Sequence, residues 1–215
     1  MKGPIPILGR NIPVTSYCPI DLSVNNRELD TISISSAEAC QQYVSHVLDR
    51  EKSKVAYGGY MEKRNLYEDS ERFNGMEPRN IHLGVDFWCD AGTEVLAPLD
   101  GIVHSFANNA DYGNYGPTII LTHKISGKRF HTLYGHLSLR SLEGLYVGKV
   151  INTGTILGAL GTPEVNVGYA PHLHFQLIRD IGDYQGDYPG VCSKSDLKYF
   201  SDNCPNPNFI LGYTL

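Results

Sequence analysis

The chain has 215 residues, of which 41% are hydrophobic and 19% are charged. These proportions support a folded core and exclude an intrinsically disordered chain, and the length fits one domain with an added segment or two small domains. The net charge of −5 gives no electrostatic reason to expect a nucleic acid partner, and the sequence has no apolar run long enough to predict a membrane span.

The first residues do not have the pattern of a secretory signal. The apolar stretch within residues 1–16 is short and is interrupted by Pro4, Pro6 and Arg10. We therefore expect a cytoplasmic protein, although an exported protein whose leader had been removed would look the same.

The cysteines favour free thiols over a disulfide framework or a thiolate zinc site. There are five of them, an odd number, and no two are spaced as C-x-x-C. We expect partly buried thiols in a reducing compartment. A bridge between Cys192 and Cys204 stays open as an alternative, because the segment between them is short.

The first predicted element is a helix at about residues 36–51. Residues 35–38 have the spacing of a capping box, and apolar side chains then recur at helical intervals: Cys40, Tyr43, Val44 and Val47. We assign residues 1–79 to an N-terminal extension that packs on or covers the following domain. The extension is a lid, a pro-segment or extra packing.

From residue 54 onward, short apolar or alternating runs are separated by Gly, Asn, Asp and Pro, which predicts many short strands. Residues 80–180 are interpreted as an all-β domain and residues 181–215 as a tail that wraps the surface. Residues 93–107 and 147–161 partly resemble each other. The predicted fold is therefore mainly β, a glycine-rich β-sandwich of related halves with one helix in the N-terminal extension.

The first candidate site is the H-x-G-x-D segment that contains His82, Gly84 and Asp86. Imidazole nitrogen and carboxylate oxygen are both zinc ligands. On a straight strand the two side chains would stand roughly 13 Å apart, too far to hold one ion. The backbone must therefore bend between them, and Gly84 can adopt conformations that other residues cannot.

The second candidate site is a strand in which His172 and His174 alternate with the apolar Leu173, Phe175 and Leu177. Alternation places both histidines on one face of the strand. Two imidazoles at this spacing can converge on one site, one as a metal ligand and the other beside it.

A third candidate is His136, which ends an apolar strand just before a turn, where sites are often built on a rigid scaffold. The remaining histidines fit ordinary surface or hydrogen-bonded core positions: His46, His104, His123 and His131.

Together these segments resemble the M23 family of zinc peptidases, which includes lysostaphin and LytM. The likeness covers residues 80–180. It lies in the H-x-G-x-D segment, in an A-x-G-T-x-V-x-A-x-x-x-G-x-V run at residues 91–103, in Tyr134-Gly135-His136-Leu137, and in His172-Leu173-His174-Phe175. The chain most resembles M23 domains that are fused to class III aminotransferases. In that comparison the likeness extends to residues 58–64 and 204–208. The family has a duplicated hybrid-motif fold, which agrees with the predicted sandwich.

The resemblance implies a zinc metallopeptidase. It assigns His82, Asp86 and His174 as the Zn²⁺ ligands, and His136 and His172 as the two further histidines of the catalytic site. Three protein ligands leave one position open for water, whose pKa a bound zinc ion lowers. The implied substrate is a peptide bond, in peptidoglycan cross-bridges or in a glycine-containing peptide.

Two other classes of function stay open. A metal-bearing but non-catalytic M23-like binding module would keep the same residues without turnover. A histidine phosphocarrier domain of the glucose type has a similar sandwich and an H-x-G-x-D-like segment, but its function does not require the paired histidines at 172 and 174. Lipoyl-type carriers fit less well, because no lysine turn has their usual flanks.

Overall fold

The computed structural model describes residues 3–66 and 77–213. The protein is mainly β with few helices, which confirms the predicted fold class, including the helix of the N-terminal extension. Part of that extension, residues 67–76, lies outside the described residues. The division of the chain near residues 79 and 180 stays a prediction.

The elements follow one another in short segments. The strands are β1 (Tyr17–Pro19), β2 (Val55–Gly58), β3 (Ile81–His82), β4 (Val85–Trp88), β5 (Glu94–Leu96), β6 (Gly101–Asn109), β7 (Gly116–Ile125), β8 (Lys128–Gly135), β9 (Val150–Ile151), β10 (Ile156–Ala159), β11 (His172–Ile178) and β12 (Val191–Cys192). The helices are α1 (Ala37–Glu51), α2 (Leu197–Asn203) and α3 (Asn208–Leu211). The sequence analysis did not predict α2, α3 or β12 in the tail.

The strands form one large sheet and two short ribbons. The large sheet has the order β1-β2-β4-β11-β8-β7-β6-β9, with β1 parallel to β2 and the other neighbours antiparallel. The ribbons are β5 with β10 and β3 with β12. The two segments that resemble each other in sequence, residues 93–107 and 147–161, therefore pair with each other, β6 with β9 and β5 with β10.

One face of the large sheet packs into the main hydrophobic core. On β11, Leu173, Phe175 and Leu177 point into this core, where Val95 and Leu157 of the β5–β10 ribbon cover them. The alternate side chains of β11 lie on the opposite face. The predicted alternation thus places the polar side chains of His172, His174 and Gln176 on the face of the sheet that does not pack into the main core.

Helix α1 packs against the opposite face, beside β2 and Trp88 of β4. The Ser36 side chain accepts a hydrogen bond from the Ala39 amide and caps the helix, so the cap lies one residue later than the predicted capping box. The helix ends at Lys52, which has a left-handed backbone conformation. Its apolar side chains form a second cluster with Trp88: Cys40, Tyr43, Val44 and Val47.

All five cysteines are buried free thiols, including Cys192 and Cys204. Within residues 3–66 and 77–213, none of the helices combines the length and the apolarity needed to cross a membrane.

Candidate metal centre

His82, Asp86 and His174, which the sequence analysis predicted as ligands, lie together on the polar face of the sheet. His174 on β11 stands directly opposite Asp86 on β4 in the antiparallel pairing. His82 belongs to β3, which leaves the large sheet and pairs with β12 instead. The chain bends at Leu83 and Gly84 between β3 and β4, as the four-residue spacing requires.

The three side chains converge through one atom each. His82 Nε2 lies 2.8 Å from His174 Nδ1, and each of these nitrogens lies 3.2 Å from Asp86 Oδ1. Ligand atoms at about 2.0–2.1 Å from a tetrahedral zinc ion stand about 3.3 Å apart. The triangle is therefore close to the size that such an ion needs, and these residues form a group able to hold a metal.

Hydrogen bonds on the far side of each ring determine which nitrogen carries the proton. His82 Nδ1 lies 2.9 Å from the Gly59 carbonyl oxygen, so this nitrogen donates. His174 Nε2 lies 2.8 Å from Gln176 Oε1. The Gln176 amide nitrogen donates to the Pro189 carbonyl at 3.1 Å, which leaves Oε1 as the acceptor for His174.

It follows that, in the tautomers these hydrogen bonds select, the inner nitrogens of both rings present lone pairs. His82 Nε2, His174 Nδ1 and Asp86 Oδ1 are then three acceptors facing one another without a donor between them. Such an arrangement is unfavourable unless a cation occupies the centre. Two imidazoles and a carboxylate are a donor set that suits zinc.

His172 lies on the same strand face, two residues before His174. Its ring stacks on Trp88, with 4.2 Å between the ring centroids. Its Nδ1 donates to the Ala170 carbonyl at 2.7 Å. Since Nδ1 carries the proton, Nε2 has a free lone pair and can accept a proton.

His136 lies beside His172, with 4.1 Å between the ring centroids. Its backbone is left-handed, with φ of 63°, at the turn that follows β8. The Tyr115 carbonyl accepts from the His136 amide at 2.8 Å, and this holds the turn. Among the described residues, the buried His136 Nδ1 has no hydrogen-bond partner.

Burial favours the neutral form of His82, His136 and His172. Desolvation lowers the pKa of His82 and of His172 to about 4. Desolvation, joined by the neighbouring His172 and His174, holds the pKa of His136 well below its ordinary value. The lone pairs that metal binding and proton transfer require are therefore present at neutral pH.

Asp86 stays ionised although it is buried. Burial alone would raise the pKa of its carboxyl group. The charge of the Arg64 guanidinium, which pairs with this carboxylate, opposes that effect, and the pKa of Asp86 lies well below its usual range. Arg64 Nη1 donates to Asp86 Oδ2, the oxygen that points away from the two histidines.

The sequence analysis did not identify the residues that hydrogen-bond to the predicted ligands. Gln176 continues the alternation of His172 and His174 on β11, so the strand pattern contained a signal for it. Gly59 and Arg64 lie in residues 58–64, which entered only through the family resemblance and without an assigned role. Their distance in sequence from Asp86 gave no spacing from which a contact could be predicted.

A cleft of about 200 Å³ opens onto the centre. Besides the five predicted site residues, aromatic, polar and charged side chains line it, among them Arg79, Tyr115, Tyr169, Tyr184, Asp187 and Tyr188. The other strand histidines lie elsewhere: His123 bonds to the Asp100 carbonyl and to Thr132 Oγ1, and His131 bonds to Thr122.

The model of Peptidase family M23 matches residues 80–186. The matched range contains all five predicted site residues and the whole predicted β domain, residues 80–180. Residues 58–64 lie outside it.

Two curated relatives each match a little under half of the chain. The "Uncharacterized metalloprotease" of Haemophilus influenzae is 37% identical over 95 residues, which are 44% of this chain and 18% of that protein. The "DD-carboxypeptidase/endopeptidase Mpg" of Neisseria meningitidis serogroup B is 32% identical over 97 residues, 45% of this chain and 20% of that protein. The chain thus spans about a fifth of the length of these relatives.

Among solved structures, the catalytic domain of the antimicrobial peptidase lysostaphin from Staphylococcus simulans superposes with a TM-score of 0.42 at 22% identity. The superposition covers 75% of this chain and 97% of that domain.

Proposed function

Residues 80–186 form a domain of peptidase family M23, and we therefore propose that the chain is a zinc-dependent metallopeptidase that hydrolyses a peptide bond. His82, Asp86 and His174 hold the metal. His172 and His136 act on the water and on the scissile carbonyl group. The substrate is a peptide or a peptidoglycan-like cross-bridge.

The observation that carries this proposal is the set of three mutually facing acceptors. The Gly59 carbonyl and the Gln176 amide oxygen take the outer protons of His82 and His174. The two inner nitrogens and Asp86 Oδ1 are then all acceptors, and a cation between them is what makes their close approach favourable. With three protein ligands, a fourth position is left for water or substrate, which is typical of catalytic rather than structural zinc.

A bound zinc ion would supply a Lewis acid and lower the pKa of water held in the open position. His172 provides the base: Nδ1 is committed to the Ala170 carbonyl, so Nε2 accepts the proton of the attacking water and later passes it to the leaving amine. The stacked Trp88 ring keeps this imidazole in place.

His136 is the proposed hydrogen-bond donor to the developing oxyanion. Its ring lies against His172 and 6.5 Å from His174, between centroids, so it borders the same space from the other side. The left-handed backbone at the end of β8 turns the side chain into the cleft. We assign the role of base to His172 rather than His136 because only His172 has a hydrogen bond that holds its proton on Nδ1 and so leaves Nε2 free to accept one.

The family resemblance supports two further parts of the proposal, the position of the cleaved bond and the kind of protein that carries the domain. The bond cleaved by this chain is proposed to lie beside glycine, from the family resemblance. Residues 58–64 and 204–208 further suggest an M23 domain of the kind fused to class III aminotransferases.

The decisive experiment combines metal analysis with turnover. Protein purified without added metal should contain one zinc per chain, which His82→Ala and Asp86→Ala should lose together with activity on peptidoglycan or glycyl peptides. His136→Ala and His172→Ala should keep the zinc and lose about 10²–10⁴-fold in turnover. His104→Ala, on β6, is the matched control and should change neither.

An unchanged zinc content in Asp86→Ala would show that the ligand assignment is wrong. Stoichiometric zinc without any cleavage by the wild-type protein would instead indicate the non-catalytic binding module.

A further inference from the structure

Residues 58–64 reach the metal centre from outside the matched family domain. The Gly59 carbonyl accepts from His82 Nδ1 at 2.9 Å, and Arg64 Nη1 donates to Asp86 Oδ2. Two of the three proposed ligands therefore have their outer partner in this one segment.

The segment is held in register beside His82. The Met61 amide donates to the His82 carbonyl and the His82 amide donates to the Glu62 carbonyl, each at 2.9 Å. The Arg64 amide donates to the Asn80 carbonyl, also at 2.9 Å. Because these are backbone bonds, the position of Arg64 relative to His82 is fixed independently of the Arg64 side chain.

The Arg64 guanidinium is fully buried between two carboxylates. Its Nε donates to Glu62 Oε2 and its Nη1 to Asp86 Oδ2. Glu62 is held in turn, since its Oε1 accepts from the Leu22 amide at 3.1 Å. A buried arginine is stable only when it is paired in this way, so Glu62 balances the charge that Arg64 brings next to the centre.

Position 59 has to be a glycine for the Arg64 guanidinium to lie where it does. A β-carbon at position 59 would stand 1.9 Å from Arg64 Nη2 and 3.0 Å from His82 Nδ1. Gly59, with φ of 104°, thus lies between the arginine and the histidine and touches both.

We propose that Arg64 is a positioning residue for the metal ligand Asp86, and that residues 58–64 are an integral part of the metal centre rather than a removable lid or pro-segment. Because Arg64 donates to Asp86 Oδ2, the carboxylate would offer a metal ion Oδ1 alone. The fourth coordination position of the ion would then stay open. This inference rests on the proposed metal site.

The test measures Co²⁺ binding to the full chain, because Co²⁺ reports its coordination through visible absorption and replaces zinc in such sites. Arg64→Gln should weaken Co²⁺ affinity in chelator competition by about 10–100-fold. It should also weaken the absorption, since a freed Oδ2 adds a fifth ligand atom and four-coordinate Co²⁺ absorbs most strongly. Tyr60→Phe is the matched control, since Tyr60 bonds to the Cys204 carbonyl and not to a ligand. It should leave both readouts unchanged.

The outcomes distinguish failure of the proposed metal site from failure of the positioning role of Arg64. A wild-type chain that does not bind Co²⁺ or Zn²⁺ refutes the metal site itself. A wild type that binds, with Arg64→Gln equal to it in affinity and spectrum, overturns the positioning role, as does an equal loss in Tyr60→Phe. Should Arg64→Gln not fold when unfolding is followed in EDTA, Glu62→Gln replaces it. That variant keeps the acceptor for Leu22 but frees one end of Arg64, and unchanged Co²⁺ affinity and absorption in it overturn the proposal.

Discussion

A β-carbon at position 84 would lie 2.7 Å from Cε1 of His174, 2.7 Å from the Phe175 carbonyl oxygen and 2.8 Å from His174 Nε2, so Gly84 packs directly against β11 at the His174 imidazole. Gly84→Ala should therefore push the His174 ring out of the position from which Nδ1 faces His82. We expect the variant to fold but to bind zinc at least about 10-fold more weakly, as measured by chelator competition.

Gly92→Asn is the control for this substitution. Gly92 has φ of 82° and open space around it, and asparagine tolerates that left-handed backbone. Its zinc affinity should equal that of the wild type. Zinc binding by Gly84→Ala at wild-type strength would show that the ring can move aside at no cost.

The role of Gly84 also shows where the sequence analysis was incomplete. The H-x-G-x-D spacing predicted a bend between His82 and Asp86, and the structure has it between β3 and β4. The glycine was expected to supply backbone freedom. Gly84 does not have a positive φ, and what the position requires is space for the His174 ring and the Phe175 carbonyl of β11, about 90 positions away, which local sequence cannot reveal.

Local pattern was sufficient where one strand or helix decided the outcome. The alternation around His172 and His174 predicted a strand with two faces, and the apolar spacing predicted α1 almost to the residue. The contact between Arg64 and Asp86 could not be predicted in this way. It depends on residues 58–64 lying beside β3, and no periodicity in either segment encodes that neighbour.

Gln176 should be required for tight metal binding, because its Oε1 takes the proton of His174 Nε2 and so leaves Nδ1 free. Gln176→Leu removes the acceptor, and we expect zinc affinity to fall by about 10–100-fold. Chelator competition at pH 7.5 or so measures the change.

Gln176→Glu keeps an acceptor at the same place and serves as the comparison. It loses the bond to the Pro189 carbonyl, yet it should bind zinc more tightly than Gln176→Leu because a carboxylate makes the histidine more basic. Equal affinities for the two variants would argue against a role for this hydrogen bond.

The stability of the metal-free protein should decrease as the pH falls from about 6.5 to about 4. His131 illustrates the reason: burial, together with His104 and Arg129, lowers its pKa from 6.5 to about 4. Between these values the unfolded chain binds a proton that the native protein does not, so acid favours unfolding. His131→Gln should reduce the pH slope of the free energy of unfolding by up to about 1.4 kcal/mol per pH unit in that window.

Urea denaturation in EDTA at several pH values gives the slope. His131 lies on β8 and bonds to Thr122, so the variant should keep its zinc affinity at neutral pH. An identical slope in wild type and variant would mean that His131 takes up its proton in the native state as readily as in the unfolded chain.

The left-handed backbone of His136 should distinguish two substitutions that both remove its ring. A residue with a β-carbon loses about 1–2 kcal/mol in this conformation, whereas glycine does not. Glycine in turn makes the unfolded chain more flexible, which costs about 0.4–1 kcal/mol. His136→Gly should therefore be more stable than His136→Ala by about 1 kcal/mol. Both variants lack the imidazole and should therefore be equally inactive. Urea denaturation in EDTA then measures the backbone effect alone. An alanine variant as stable as the glycine variant would show that residue 136 leaves the left-handed region once the imidazole is removed.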